Sequence, residues 1–64
     1  MQKYFNIVER VGVSITSIEE ATENAVLSLK DDSVSWFEVA EIRGRITSEK
    51  KLEYQVKVKI GTKS

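Results

Sequence analysis

A chain of 64 residues has room for one domain, expected to span residues 1–64, and a domain this small is only marginally stable without a disulfide, a structural metal or self-association. It has no cysteine and no histidine, which excludes disulfides, thiolate metal sites and the commonest catalytic base and leaves self-association open. Ten basic and ten acidic side chains cancel, so the long-range positive field of a dedicated nucleic-acid binder is missing.

In chain order, residues 2–11 (QKYFNIVERV) are rich in β-formers and end at Gly12. They predict a first strand with Phe5, Ile7 and Val11 on one side and Glu9 interrupting them. Residues 17–30 predict a helix. Ser17 with Glu20 has the spacing of a capping box, in which the hydroxyl takes an amide proton and the carboxylate reaches back; Thr16 with Glu19 repeats it one residue earlier. Ile18, Ala21, Ala25, Val26 and Leu29 recur at helical spacing, with Thr22 on the same stripe, and the helix is expected to end before Asp31-Asp32-Ser33. Residues 34–46 (VSWFEVAEIRGRI) predict a second strand and residues 51–61 (KLEYQVKVKIG) a third, joined by a polar hairpin loop at Thr47-Ser48-Glu49-Lys50. The third strand alternates cleanly. Leu52, Tyr54, Val56, Val58 and Ile60 face one way; Glu53, Gln55, Lys57 and Lys59 face the other.

A helix between the first two strands makes a crossover, which favours parallel strands one and two with strand three between them, antiparallel to both. The expected fold is α+β, β-α-β-β, a three-stranded antiparallel sheet wrapped on one helix. With one apolar stripe, the helix covers one sheet face. Phe37 and Val39 are assigned to the covered face; Trp36, Glu38, Ala40 and Ile42 go to the open one.

A tryptophan on an open face serves either a subunit interface or a flat ligand. Gln55 shares that face. Its amide can donate and accept side by side, which suits the edge of a heterocycle, although a lone glutamine on a strand is ordinarily just solvated. With the hairpin near Glu49, Gln55 falls opposite Ile42 or Gly44, and Trp36 lies about 20 Å further along at strand rise. One chain cannot bring both to the same three-ring ligand, so a joint site implies an intersubunit pocket.

The run Trp36-Phe37-Glu38-Val39-Ala40-Glu41-Ile42-Arg43-Gly44, followed by Glu53-Tyr54-Gln55-Val56, resembles the dodecins over nearly the whole chain. The resemblance implies a non-enzymatic flavoprotein that forms a hollow homododecamer and stores or sequesters FMN, riboflavin or FAD at its subunit interfaces. It implies stacking of the isoalloxazine on Trp36, a hydrogen bond from Gln55, Arg43 near the phosphate-bearing tail, and Glu41 near the ribityl chain. A dodecin-like structural or ion-binding shell without flavin is the alternative. Three departures from the pattern that the resemblance leads one to expect stand out: a short segment from Lys30 to Ser35, a brief stretch after Ile60, and Arg45 where a smaller residue is expected.

The remaining patterns read as structural. Asp31-Asp32 and Glu19-Glu20 lack the spaced ligands and glycine of a calcium loop. Lys50, Lys51, Lys57, Lys59 and Lys63 read as a charged strand face that discourages edge pairing rather than a nucleic-acid surface. Gly44 suggests a β-bulge, and simple alternation sends Arg43 to the helix side. No nucleophile–base pair or dinucleotide fingerprint suggests an enzyme. MQKYFNIVER does not read as a signal peptide, and no apolar run approaches a membrane span, so the expected location is the cytoplasm.

Overall fold

The computed structural model describes residues 4–30 and 34–63. Its elements are β1 (Phe5–Ser14), α1 (Ile18–Leu27), β2 (Val34–Ile46) and β3 (Leu52–Lys63). β3 lies in the middle, antiparallel to β1 on one side and to β2 on the other. This is the expected β-α-β-β fold, with one helix on a three-stranded antiparallel sheet.

Element ends differ from the sequence reading in ways that have physical causes. β1 runs on through Gly12, which pairs with Val56. A side chain at Gly12 would overlap the backbone carbonyl of Ala21. Gly12 is therefore the point where the helix touches the sheet, not the end of the strand. α1 closes at Leu27, where the Ser28 hydroxyl donates to the Ala25 carbonyl at 2.7 Å. The stretch Asp31-Asp32-Ser33, before which the helix was expected to end, lies outside the described residues.

The helix start keeps half of the expected capping box. The Ser17 hydroxyl accepts the amide proton of Glu20 at 3.0 Å. The Glu20 carboxylate does not reach back to Ser17. It accepts a 2.7 Å hydrogen bond from the Ser14 hydroxyl, whose oxygen in turn accepts from the amides of Thr16 and Ser17. Ser14 thus joins the last residue of β1 to the first turn of α1. Asn24 adds a second tie, donating to the Val13 carbonyl at 2.9 Å.

Ala21 and Ala25 bring the helix close to the sheet, and with Val56, Val58 and Ile60 they form the buried core. α1 lies over β1 and β3 and barely reaches β2. Phe37 and Val39 do sit on the helix-side face, opposite Ile60 and Val58, yet they are 53% and 40% exposed. Ile42 and Ile46 continue this bare strip. The chain is 51 Å long with a radius of gyration of 13.5 Å, against about 11 Å for a compact domain of this length. The hairpin between β2 and β3 closes with Lys50 donating to the Thr47 carbonyl at 2.9 Å, and Lys50 itself is left-handed at φ 62°.

Because backbone, not a flexible side chain, fills the space above Gly12, Gly12→Ala is expected to cost about 3 kcal/mol, the upper end of ordinary overpacking. Guanidinium unfolding at fixed protein concentration measures this; an unchanged midpoint would mean that α1 and β1 are not in backbone contact.

Candidate functional site

The open sheet face is organised by two irregularities in β2. Val39 pairs with Val58 and Glu41 with Lys57, so Ala40 is an extra residue; Ser35 is likewise extra between Val34 and Trp36. An inserted residue reverses the facing of everything beyond it. Past Ala40, Ile42 therefore pairs with Val56 on the helix side, and Glu41, Arg43 and Arg45 pair with Lys57, Gln55 and Glu53 on the open face.

This corrects two assignments. Ile42, expected on the open face, is on the helix side, and Arg43, expected on the helix side by alternation, is on the open face directly opposite Gln55. The bulge itself is at Ala40 instead of Gly44. Its signature was present in the sequence: apolar Phe37 and Val39 are followed by Ile42 and Ile46, a one-residue slip in the two-residue period.

Three of the four singled-out residues thereby come together. Glu41, Arg43 and Gln55, with Val11 and Lys57, line a shallow depression of about 240 Å³. Arg43 donates to Glu41 through Nε at 3.1 Å and Nη2 at 2.8 Å. Beside it, Arg45 pairs with Glu53 at 2.7 Å, and Gln55 Nε2 donates to the same Glu53 oxygen at 3.1 Å. Arg45, where the resemblance led to a smaller residue being expected, thus anchors the carboxylate that orients Gln55. Val11 and Lys57 were missed as lining residues; the register of β1 and β2 against β3, which no local pattern displays, brings them in.

Trp36 is on the same face but not in this depression. It pairs with Gly61, six positions beyond Gln55 along β3, or about 20 Å at strand rise. Phe5 meets it edge-on, with ring centroids 6.2 Å apart and planes at 78°. The expected row Phe5, Ile7 and Val11 belongs to this open face too, opposite Lys63, Gly61 and Lys57.

The lysines of β3 do not make a basic patch. Lys59 lies between Glu9 and Glu38, and Lys57 between Val11 and Glu41, with Glu9 also 3.8 Å from the Lys57 ammonium. Among the described residues no three carboxylates gather to hold a metal. Glu20 is engaged in the helix start, and Asp31-Asp32 lies outside the described residues. Also among the described residues, no helix is long and apolar enough to cross a membrane.

The fold and site define a class: a β-α-β-β module whose open sheet face carries a tryptophan at one end and a glutamine with paired charges at the other. The dodecin family model matches residues 5–64. A dodecin of Thermus thermophilus is 38% identical over 63 residues, spanning 95% of this chain and 91% of that one. Among solved structures, an arginine-to-alanine variant of the T. thermophilus dodecin superposes with a TM-score of 0.83 at 35% identity, covering 94% of this chain and 91% of that one. The calcium dodecin of Mycobacterium tuberculosis, described as a calcium-chelating antigen, gives 0.86 at 25% identity, covering 97% and 91%. The chain belongs to the dodecin family.

The Arg45 guanidinium, followed by the Gln55 amide, holds the Glu53 carboxyl below its ordinary value of 4.5, and Arg43 does the same for Glu41. Both carboxylates are stabilised by folding, so their contribution is present above that value and is lost as pH falls through the lowered one. Carboxyl-carbon NMR titration should place the Glu53 midpoint below 4.5, and Arg45→Ala should raise it; a midpoint that ignores Arg45 would contradict the pairing.

Proposed function

We propose that the protein is a non-enzymatic flavin-binding protein that stores FMN or a related flavin at the subunit interfaces of a homododecamer. The observation that carries this reading is the division of the open face. Glu41, Arg43 and Gln55 cluster at one end, and Trp36 lies six strand positions away. Trp36 and Gln55 can meet the same isoalloxazine only if they come from different subunits. The elongated chain and the bare apolar strip on β2 support self-association, and family membership supports a dodecin assembly.

In this reading Trp36 stacks on the isoalloxazine, where a large rigid ring gains contact at little conformational cost. Gln55 meets the pyrimidine edge. Its Nε2 is engaged by Glu53, so its carbonyl oxygen is the group suited to receive an N–H from the ligand. Arg43, brought to the open face by the Ala40 bulge, is placed for a phosphate-bearing tail, and Glu41 beside it for ribityl hydroxyls. Storage needs only binding and release, which this set of groups can supply. A shell that binds ions without flavin is the second reading, favoured by the likeness to the calcium dodecin.

FMN titrated with the protein should lose most of its fluorescence, and Trp36→Ala should weaken binding about tenfold to a hundredfold, the usual worth of a stacked aromatic. Unquenched FMN emission alongside saturable calcium binding in calorimetry would favour the ion-binding shell.

A further inference from the structure

We propose that Gly61 is a positioning residue for Trp36, present so that the indole can lie down on the sheet as a preoriented stacking surface. The role of that surface in flavin binding rests on the reading above. The seating of the indole rests on geometry alone.

Glycine within a strand is unfavourable, because it gives up backbone entropy and contributes no side chain to packing. Gly61 does not offset this with an unusual backbone conformation, since no described glycine has a positive φ. What occupies the space of its missing side chain is Trp36. A methyl placed there would meet Cε2, Nε1 and Cζ2 of the indole as its three nearest heavy atoms, all within overlap distance. The contrast with Gly12 is informative: there the obstacle is helix backbone, and at Gly44 it is strand backbone. At Gly61 it is one side chain, the only tryptophan in the chain.

The neighbouring irregularity serves the same end. The extra residue Ser35 sets Trp36 directly opposite Gly61. Phe5, from the other edge strand, then closes on the indole edge-to-face. The ring is held from β3 below and from β1 at its side, yet stays 37% exposed. A ring already fixed in its rotamer binds a planar partner without a further ordering cost, so Gly61 and Phe5 act on affinity without touching the ligand.

The test compares wild type, Gly61→Ala, Phe5→Leu and Trp36→Ala with and without Gly61→Ala. Near-ultraviolet circular dichroism and fluorescence anisotropy report on the single indole, and FMN quenching reports affinity. Gly61→Ala should change both indole signals and weaken FMN binding by about tenfold, a part of the full stacking contribution. Phe5→Leu should change them in the same direction and to a smaller extent. In the Trp36→Ala background, Gly61→Ala should leave the unfolding midpoint unmoved. Should Gly61→Ala alone fail to fold, folding of the double variant would carry the same message. Wild-type indole signals and FMN affinity in Gly61→Ala, or equal loss of stability in both backgrounds, would overturn the proposal. If wild-type protein leaves FMN unquenched, the flavin reading falls, and the indole signals and paired backgrounds still decide the role of Gly61.

Discussion

A ten-residue helix with one narrow apolar stripe sits on a sheet too wide for it, and the rest of the molecule follows from that mismatch. Ala21 and Ala25 let α1 approach until it touches backbone at Gly12, which closes the core over β1 and β3. Close approach seals what lies beneath and sacrifices reach. β2 is left with Phe37, Val39, Ile42 and Ile46 uncovered on the very face that should be interior. At about 25 cal/mol for each square ångström of apolar surface removed from water, covering that strip would give a strong drive to self-association. The same shortage of cover leaves the opposite face open for a ligand.

Much of this was legible in the sequence, because the signals were local and strong. The strict alternation of β3 from Leu52 to Ile60 assigned the helix-side face, of which Val56, Val58 and Ile60 are buried and Leu52 is exposed, and Ser17 with the Ala21 and Ala25 stripe located the helix. The position of β3 between the other strands followed from the crossover. Element ends were harder, since Gly12 reads as punctuation when it is a contact point. The facing of β2 was misread where strict alternation was imposed across Ala40, although the apolar spacing recorded the slip. What no local pattern encodes is reach: nothing in the helix stripe tells how many strands the helix will cover.

Side-chain facing is also what builds the candidate site. One inserted residue, Ala40, turns Arg43 and Glu41 toward Gln55; a second, Ser35, sets Trp36 over Gly61. Bulges are a compact means of re-aiming side chains without changing the sheet, and here two of them arrange both halves of the open face. The Arg43–Glu41 pair lies in solvent and orients groups more than it stabilises the fold, whereas in the Arg45–Glu53 pair the guanidinium is exposed and the carboxylate is largely covered. Orientation is what a binding face needs, and the Glu53 carboxylate shows it by holding both Arg45 and the amide of Gln55.

The dependence of the fold on its own copies is the central claim, and unfolding across a wide range of protein concentration, read together with native mass, tests it most directly. A chain whose apolar strip is covered by neighbours should run as an oligomer, twelve copies under the proposed reading, and its unfolding midpoint should rise steadily with concentration, because dissociation and unfolding are then linked. A stable folded monomer with a concentration-independent midpoint would contradict it.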